Sequence, residues 1–340
     1  MTIHETAGLA WGATPWRGAD ALIAHYRAVR GRTEALVAGL CPEDCVAQSM
    51  TDASPAKWHL AHTAWFFEAM VLQTEVRDYS PYHSDFSKLF NSYYNSLGER
   101  VARPRRGLMT RPSVDEILRY RAYVDRAVLD FLRRGAPSPD ALARVEIGLN
   151  HEQQHQELLL TDVKHLLAQN PISPVYRERA EDVAGRCTEM RWVTFEEGLR
   201  CIGHGGEGFS YDNEGPRHRV FLERYRLADR LVTNREYLEF IGDGGYERPE
   251  LWLDEGWAVV QAEGWTAPLY WWRDGQEHRV FSLAGVRPLS LDEPVCHVSL
   301  FEAMAYASWA GRRLPTEEEW EHAVGGAPIE GMFAESERLH

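Results

Sequence analysis

Paired cysteines are missing from this sequence. Its five cysteines, Cys41, Cys45, Cys187, Cys201 and Cys296, form no Cys-x-x-Cys motif, and their odd number argues against a disulfide framework. An excess of basic residues is missing too. The 37 Lys and Arg stand against 51 Asp and Glu, a net charge of −14, which lacks the electrostatic footprint of a nucleic-acid binder and disfavours anionic membranes. No apolar run approaches the roughly 20 residues that cross a bilayer, and no apolar leader follows Met1. Internal repeats and low-complexity tracts are also absent. The expectation is a soluble cytoplasmic protein with neither nucleic acid nor membrane as partner.

What is present is a globular composition over 340 residues, 44% hydrophobic with 12 tryptophans, enough for two domains. The first half reads as long helices. Leu22, Ile23, Tyr26, Val29 and Leu36 recur at helical spacing between Trp16 and about Leu40. Ser54-Pro55 predicts a second helix to about Val76, with Ser54 as cap and Pro55 in the first turn. Ser113-Val114-Asp115-Glu116 opens a third as a capping-box-like start, running to Arg134. A fourth spans Ser138 to about Gln169 and stops at Asn170-Pro171. Four such helices predict a four-helix bundle. Residues 77–112 interrupt them with an aromatic, arginine-rich segment too long for an ordinary connector.

After about Val183 the texture changes to short segments rich in Gly and Trp. Strands are predicted at Arg191–Val193, Arg219–Leu222 and Pro294–Val298, and helices at Thr233–Ile241 and Leu300–Ala310. The fold class is therefore α+β: a helical domain over 1–172, a linker near 172–186, and a mixed domain over 187–340.

The chemistry concentrates on Asn150-His151-Glu152-Gln153-Gln154-His155-Gln156-Glu157. Histidines four apart project from one helical face, the spacing two imidazoles need to hold one ion. His59 and His62 lie on the predicted second helix; His62 is the expected third ligand, and His59 is expected to support the site from behind. Three neutral imidazoles leave a divalent ion its full charge and several open positions, which suits iron and zinc alike. His151-Glu152-Gln153-Gln154-His155 also matches H-E-x-x-H, where the histidines bind zinc, Glu152 is a general base, and Glu178 or Glu181 would supply a further ligand. A zinc hydrolase thus stays open beside an oxygen-using centre, as does a non-catalytic binding module. Arg100 and Arg106 are candidate carboxylate clamps. Tyr94, among other aromatics, could face a quaternary ammonium.

Ser54-Pro55-Ala56-Lys57-Trp58-His59-Leu60-Ala61-His62-Thr63-Ala64-Trp65-Phe66-Phe67-Glu68, together with the His151–Glu157 stretch, resembles the DinB-like domain of ergothioneine-biosynthesis sulfoxide synthases. The second half resembles the formylglycine-generating-enzyme-like, C-type-lectin-related domain of the same enzymes. It does so through Tyr211-Asp212-Asn213-Glu214-Gly215-Pro216-Arg217-His218, Val232-Thr233-Asn234-Arg235-Glu236-Tyr237 and Gly311-Arg312-Arg313-Leu314-Pro315-Thr316-Glu317-Glu318-Glu319-Trp320-Glu321. The resemblance spans nearly the whole chain from about residue 17. It implies iron(II) held by His62, His151 and His155. It implies the O2-dependent joining of a thiol, γ-glutamylcysteine or cysteine, to C2 of the imidazole of hercynine, giving a sulfoxide. Selenoneine- and ovothiol-type relatives would share the same site. Gln154 matches the position that contacts the imidazole substrate, and Glu157 is a candidate to orient a ligand ring. Members of this family continue beyond the point matching His340, so the catalytic tyrosine that the resemblance implies is expected past the end of this sequence, and a truncated chain is one expectation.

Overall fold

The computed structural model describes residues 19–92, 100–134, 137–178, 187–206, 208–331 and 333. They form two compact units. One takes the described residues as far as Tyr176, with Gly206 and 208–212; the other takes those from Arg177 to Gly205 and from Asn213 onward.

In the first unit, α1 (Ala19–Val37) buries Leu22, Ile23, Tyr26, Val29 and Leu36, the periodic positions read from the sequence. Helix α2 (Ala56–Phe67) buries every one of its residues, as a helix that is apolar on all sides must. It packs on both α3 (Val114–Arg134) and α4 (Pro139–Ala168), and α1 packs on α4. Ser113 and Ser138 cap α3 and α4, accepting from the N–H groups of Glu116 (3.2 Å) and Ala141 (3.1 Å).

The start of α2 departs from the expectation. Pro55 is the N-cap and no side chain caps the helix. The Ser54 hydroxyl instead accepts from Arg106 Nη1 (2.8 Å), and the Ser54 N–H donates to Asp162 (2.8 Å). Tertiary partners satisfy this buried helix end in place of a local cap. Beyond Phe67 the helix widens into a π turn, Glu68–Leu72, and the Glu68 carboxylate accepts from the hydroxyls of Tyr79 and Tyr120 and the N–H of Tyr82.

Gly148 sets the approach of α4 to α2. A Cβ there would lie 2.5 Å from Phe67 Cε1 and 3.0 Å from Phe66 Cε1. Gly148→Ala is therefore expected to lower stability by about 1–3 kcal/mol through overpacking, although alanine is the better helix former. A chemical-denaturation midpoint at or above wild type would contradict this reading.

The second unit is built from small antiparallel pairings. β1 (Trp192–Phe195) pairs with β4 (Tyr225–Ala228), β2 (Gly198–Ile202) with β3 (His218–Leu222), and β5 (Trp271–Asp274), β6 (Glu277–Ser282) and β7 (Gly285–Pro288) form a meander. Its helices are α5 (Asn234–Gly242), α6 (Asp254–Glu263), α7 (Leu300–Trp309) and α8 (Glu317–Val324). Thr233, Ser299 and Thr316 open α5, α7 and α8 with reciprocal capping boxes to Glu236, Glu302 and Glu319. Tyr237, Phe240, Tyr246, Trp252, Val260 and Ala305 form the core.

The predicted strand at Pro294–Val298 is not one. Only an isolated bridge joins Pro294 to Thr233. Pro294 has no N–H for a ladder, and His297 has φ of 59°, which takes the chain out of extended geometry. Helices α6 and α8, strands β2 and β4 and the β5–β7 meander are not among the elements predicted from the sequence, although the Thr316–Glu319 capping box is a local signal for α8.

Candidate metal centre

Four histidines meet where α2 crosses α4. Among the described residues, ligand atoms of His62, His151 and His155 lie within 4.8 Å of one another, the grouping that could hold a metal ion. The Nε2 atoms of His62 and His151 are 3.2 Å apart. His62 Nδ1 lies 2.6 Å from the Phe90 carbonyl, which can only accept, so Nδ1 carries the proton and Nε2 presents its lone pair inward. The His62 ring is stacked on Trp58 (centroids 4.5 Å, 12°) and on Trp65 (5.5 Å, 16°). Trp58, His62 and Trp65 follow one helical face.

Electrostatics keep these imidazoles neutral. Burial, reinforced by His151, holds His62 well below the usual histidine range. Burial pushes His151 down to about 4. Burial and the neighbouring His62 and His59 lower His155 well below its ordinary value. Neutral rings with converging lone pairs are the form a divalent ion requires, and at 3.2 Å two facing lone pairs repel unless a cation or a proton lies between them. The donor set therefore fits a divalent transition metal.

The other candidates divide. His59 is behind His155, with Nδ1 atoms 2.9 Å apart, and its Nε2 is 2.9 Å from Asp162 Oδ2. Arg106 is buried, its guanidinium 3.4 Å from the Trp58 ring centroid and bonded to the Ser54 and Ser92 hydroxyls. That makes it part of the wall rather than an open clamp. Arg100 is exposed and donates to the Ser92 carbonyl. Tyr94 and Glu181 lie outside the described residues, and Glu178 is exposed and not part of the cluster. Gln154 is exposed on α4 between the two histidines. Glu157 is exposed as well. Two residues past His155 it points to the far side of the helix, so it orients no ligand ring.

Glu152 overturns its role as a general base. It is 0% exposed and faces α1 and α3, where it accepts from Arg30 Nη1 (2.7 Å), Arg121 Nη2 (2.9 Å) and the Thr33 hydroxyl (2.6 Å). Burial pushes its carboxyl up, but Arg30, Arg121 and Thr33 outweigh this and hold it at about 2. A carboxylate committed to two guanidiniums has no reach to a substrate proton. Arg30, Arg121 and Asp162 were not singled out from the sequence. Asp162 could have been, since it lies two turns beyond His155 on the same α4 stripe.

Comparison with known proteins finds relatives for both halves of the chain. The model of the DinB superfamily matches residues 25–159, and that of the sulfatase-modifying factor enzyme 1-like domain matches residues 179–339. The hercynine oxygenase of Mycolicibacterium smegmatis is 35% identical over 288 residues, covering 82% of this chain and 63% of that protein. That of Mycolicibacterium thermoresistibile is 34% identical over 284 residues, covering 82% and 60%. That of Mycobacterium tuberculosis is 34% identical over 313 residues, covering 92% and 71%. The chain thus spans less than two thirds of the length of the first two relatives. With 34% identity over 71% of the tuberculosis protein and both domains in order, this chain belongs to the hercynine oxygenase family.

Proposed function

We propose that this chain holds iron(II) through His62, His151 and His155 and serves an O2-dependent sulfoxide synthase. The reaction joins a thiol, γ-glutamylcysteine or cysteine, to C2 of the hercynine imidazole. The observation that carries this reading is the convergence of three imidazoles from two helices, with ligand atoms within 4.8 Å of one another. Bound there, iron(II) would offer thiolate, imidazole and oxygen a common meeting point and lower the thiol pKa. Atoms and electrons balance: the C2–H and S–H hydrogens leave as water with one oxygen atom, and the other oxygen stays on sulfur. Carbon–sulfur bond formation and sulfur oxidation supply two electrons each, the four that O2 accepts.

The chain's own residues supply placement. Trp58, Trp65 and Phe66 contact the His62 and His151 rings and exclude water from one side, which strengthens electrostatic interactions at the site. The Phe90 carbonyl fixes the His62 tautomer. Gln154, exposed beside both α4 histidines, would hydrogen-bond the substrate imidazole.

An oxygen electrode tests the reading. With iron(II) present, O2 consumption should require both hercynine and a thiol, and running γ-glutamylcysteine and cysteine separately identifies the donor. Uptake at the same rate without hercynine would reject the assignment.

A further inference from the structure

The three candidate ligand rings are held from behind in three different ways. His62 leans on a backbone carbonyl, that of Phe90 (2.6 Å). His151 Nδ1 is buried with no hydrogen-bond partner among the described residues. His155 leans on a second imidazole, His59, at 2.9 Å, and that imidazole leans on Asp162, also at 2.9 Å. Asp162 is in turn fixed by the Ser54 N–H (2.8 Å), which reaches the same Oδ2 atom that faces His59. Among the described residues, only the ring of His155 leads to a carboxylate, and it does so through His59.

We propose that Asp162 and His59 form a positioning relay that fixes the tautomer of His155 and makes it the strongest donor of the trio. This rests on the metal-binding reading above. The chain of hydrogen bonds has one metal-competent direction. A carboxylate only accepts, so His59 Nε2 carries a proton. With Nε2 donating to Asp162, Nδ1 is the His59 atom that can accept from His155 Nδ1–H. His155 Nε2 is left bare and free to coordinate. Carboxylate-backed histidine ligands gain basicity and lose rotational freedom. His59 is 2% exposed and the side chain of Asp162 is 14% exposed, so bulk water competes weakly for these bonds. The packing fits the role: His155 and Asp162 share a stripe on α4 two turns apart, and His59 comes from α2 to bridge them.

A filler of the helix crossing would need neither the acceptor at Nδ1 nor the charge behind it, and this separates the two roles. His59→Asn puts an amide oxygen near the former Nδ1 position, whereas His59→Phe keeps the bulk and removes the acceptor. Cobalt(II) serves as the probe, followed by its visible absorption and by chelator competition, with thermal melts of each metal-free protein alongside. The wild-type chain should bind cobalt(II). His59→Phe should bind ~10–100-fold more weakly, and His59→Asn should recover most of that loss. Asp162→Asn keeps the acceptor but removes the charge, and should fall between them with an altered absorption spectrum. It also tests the relay independently if His59→Phe does not fold. Equal affinity in His59→Phe and wild type, or equal weakening in His59→Phe and His59→Asn, overturns the relay. Wild-type affinity and spectrum in Asp162→Asn removes Asp162 from it. A wild-type chain that binds no cobalt(II) counts instead against the metal site itself.

Discussion

Glu152→Gln is expected to lower folding stability by roughly 3–5 kcal/mol, the range for breaking one side of a buried ion pair. The carboxylate joins α4 to α1 through Arg30 and Thr33 and to α3 through Arg121. Arg121 is 0% exposed and Arg30 3%, so a neutral amide leaves guanidinium charge facing an apolar interior. The pH dependence gives a second signature. The Glu152 carboxyl is held at about 2 against 4.5 for a free side chain. The group therefore binds fewer protons folded than unfolded, and its contribution is fully present above pH 4.5 and is lost as pH falls toward 2. That contribution amounts to about 3 kcal/mol. The buried histidines add to acid sensitivity with the same sign. Their folded pKa values lie below 6.5, so the unfolded chain takes up protons first as the medium is acidified below that value. Urea denaturation at pH 7 and pH 3 should show the gap between wild type and Glu152→Gln narrowing in acid. A stable variant with a constant gap would remove the ionic plug from the account and reopen the general-base reading.

His151→Leu should show the reverse pattern. Metal affinity is expected to fall by more than the ~100-fold that loss of an outer partner causes, while the metal-free protein holds its stability or gains some. The side chain is desolvated enough to bring its pKa to about 4, its Nδ1 has no partner among the described residues, and its Nε2 faces that of His62 at 3.2 Å. Removing such a group relieves an unsatisfied polar burial. Sites kept for function commonly sacrifice stability in this way. Paired cobalt(II) titrations and metal-free melts decide the matter. A variant that binds as tightly as wild type, or one that loses stability on the scale of Glu152→Gln, would show His151 to be an ordinary core histidine.

Local periodicity carried much of the bundle into view. The apolar spacing of α1, the Ser-led starts of α3 and α4, and the four-residue separation of His151 and His155 are all short-range signals. The partners of those residues were hidden because they are long-range. Nothing near Glu152 in sequence announces that Arg30 and Arg121 will converge on it. The zinc-protease pattern therefore looked open until burial showed which way the carboxylate turned. Ser54 failed as a cap for the same reason, its hydroxyl and N–H being claimed from Arg106 and Asp162. In the second unit the capping boxes at Thr233, Ser299 and Thr316 are local signals, and the first two open helices close to the expected Thr233–Ile241 and Leu300–Ala310. At Pro294–Val298 β-rich composition gave way to one residue with positive φ.

The indole rings on His62 have one further effect. Held between Trp58 and Trp65 and tied at Nδ1 to Phe90, the imidazole has a single orientation available before anything reaches it. Its torsional entropy was surrendered when the chain collapsed, so capture of an incoming ion is not slowed or weakened by a search among rotamers.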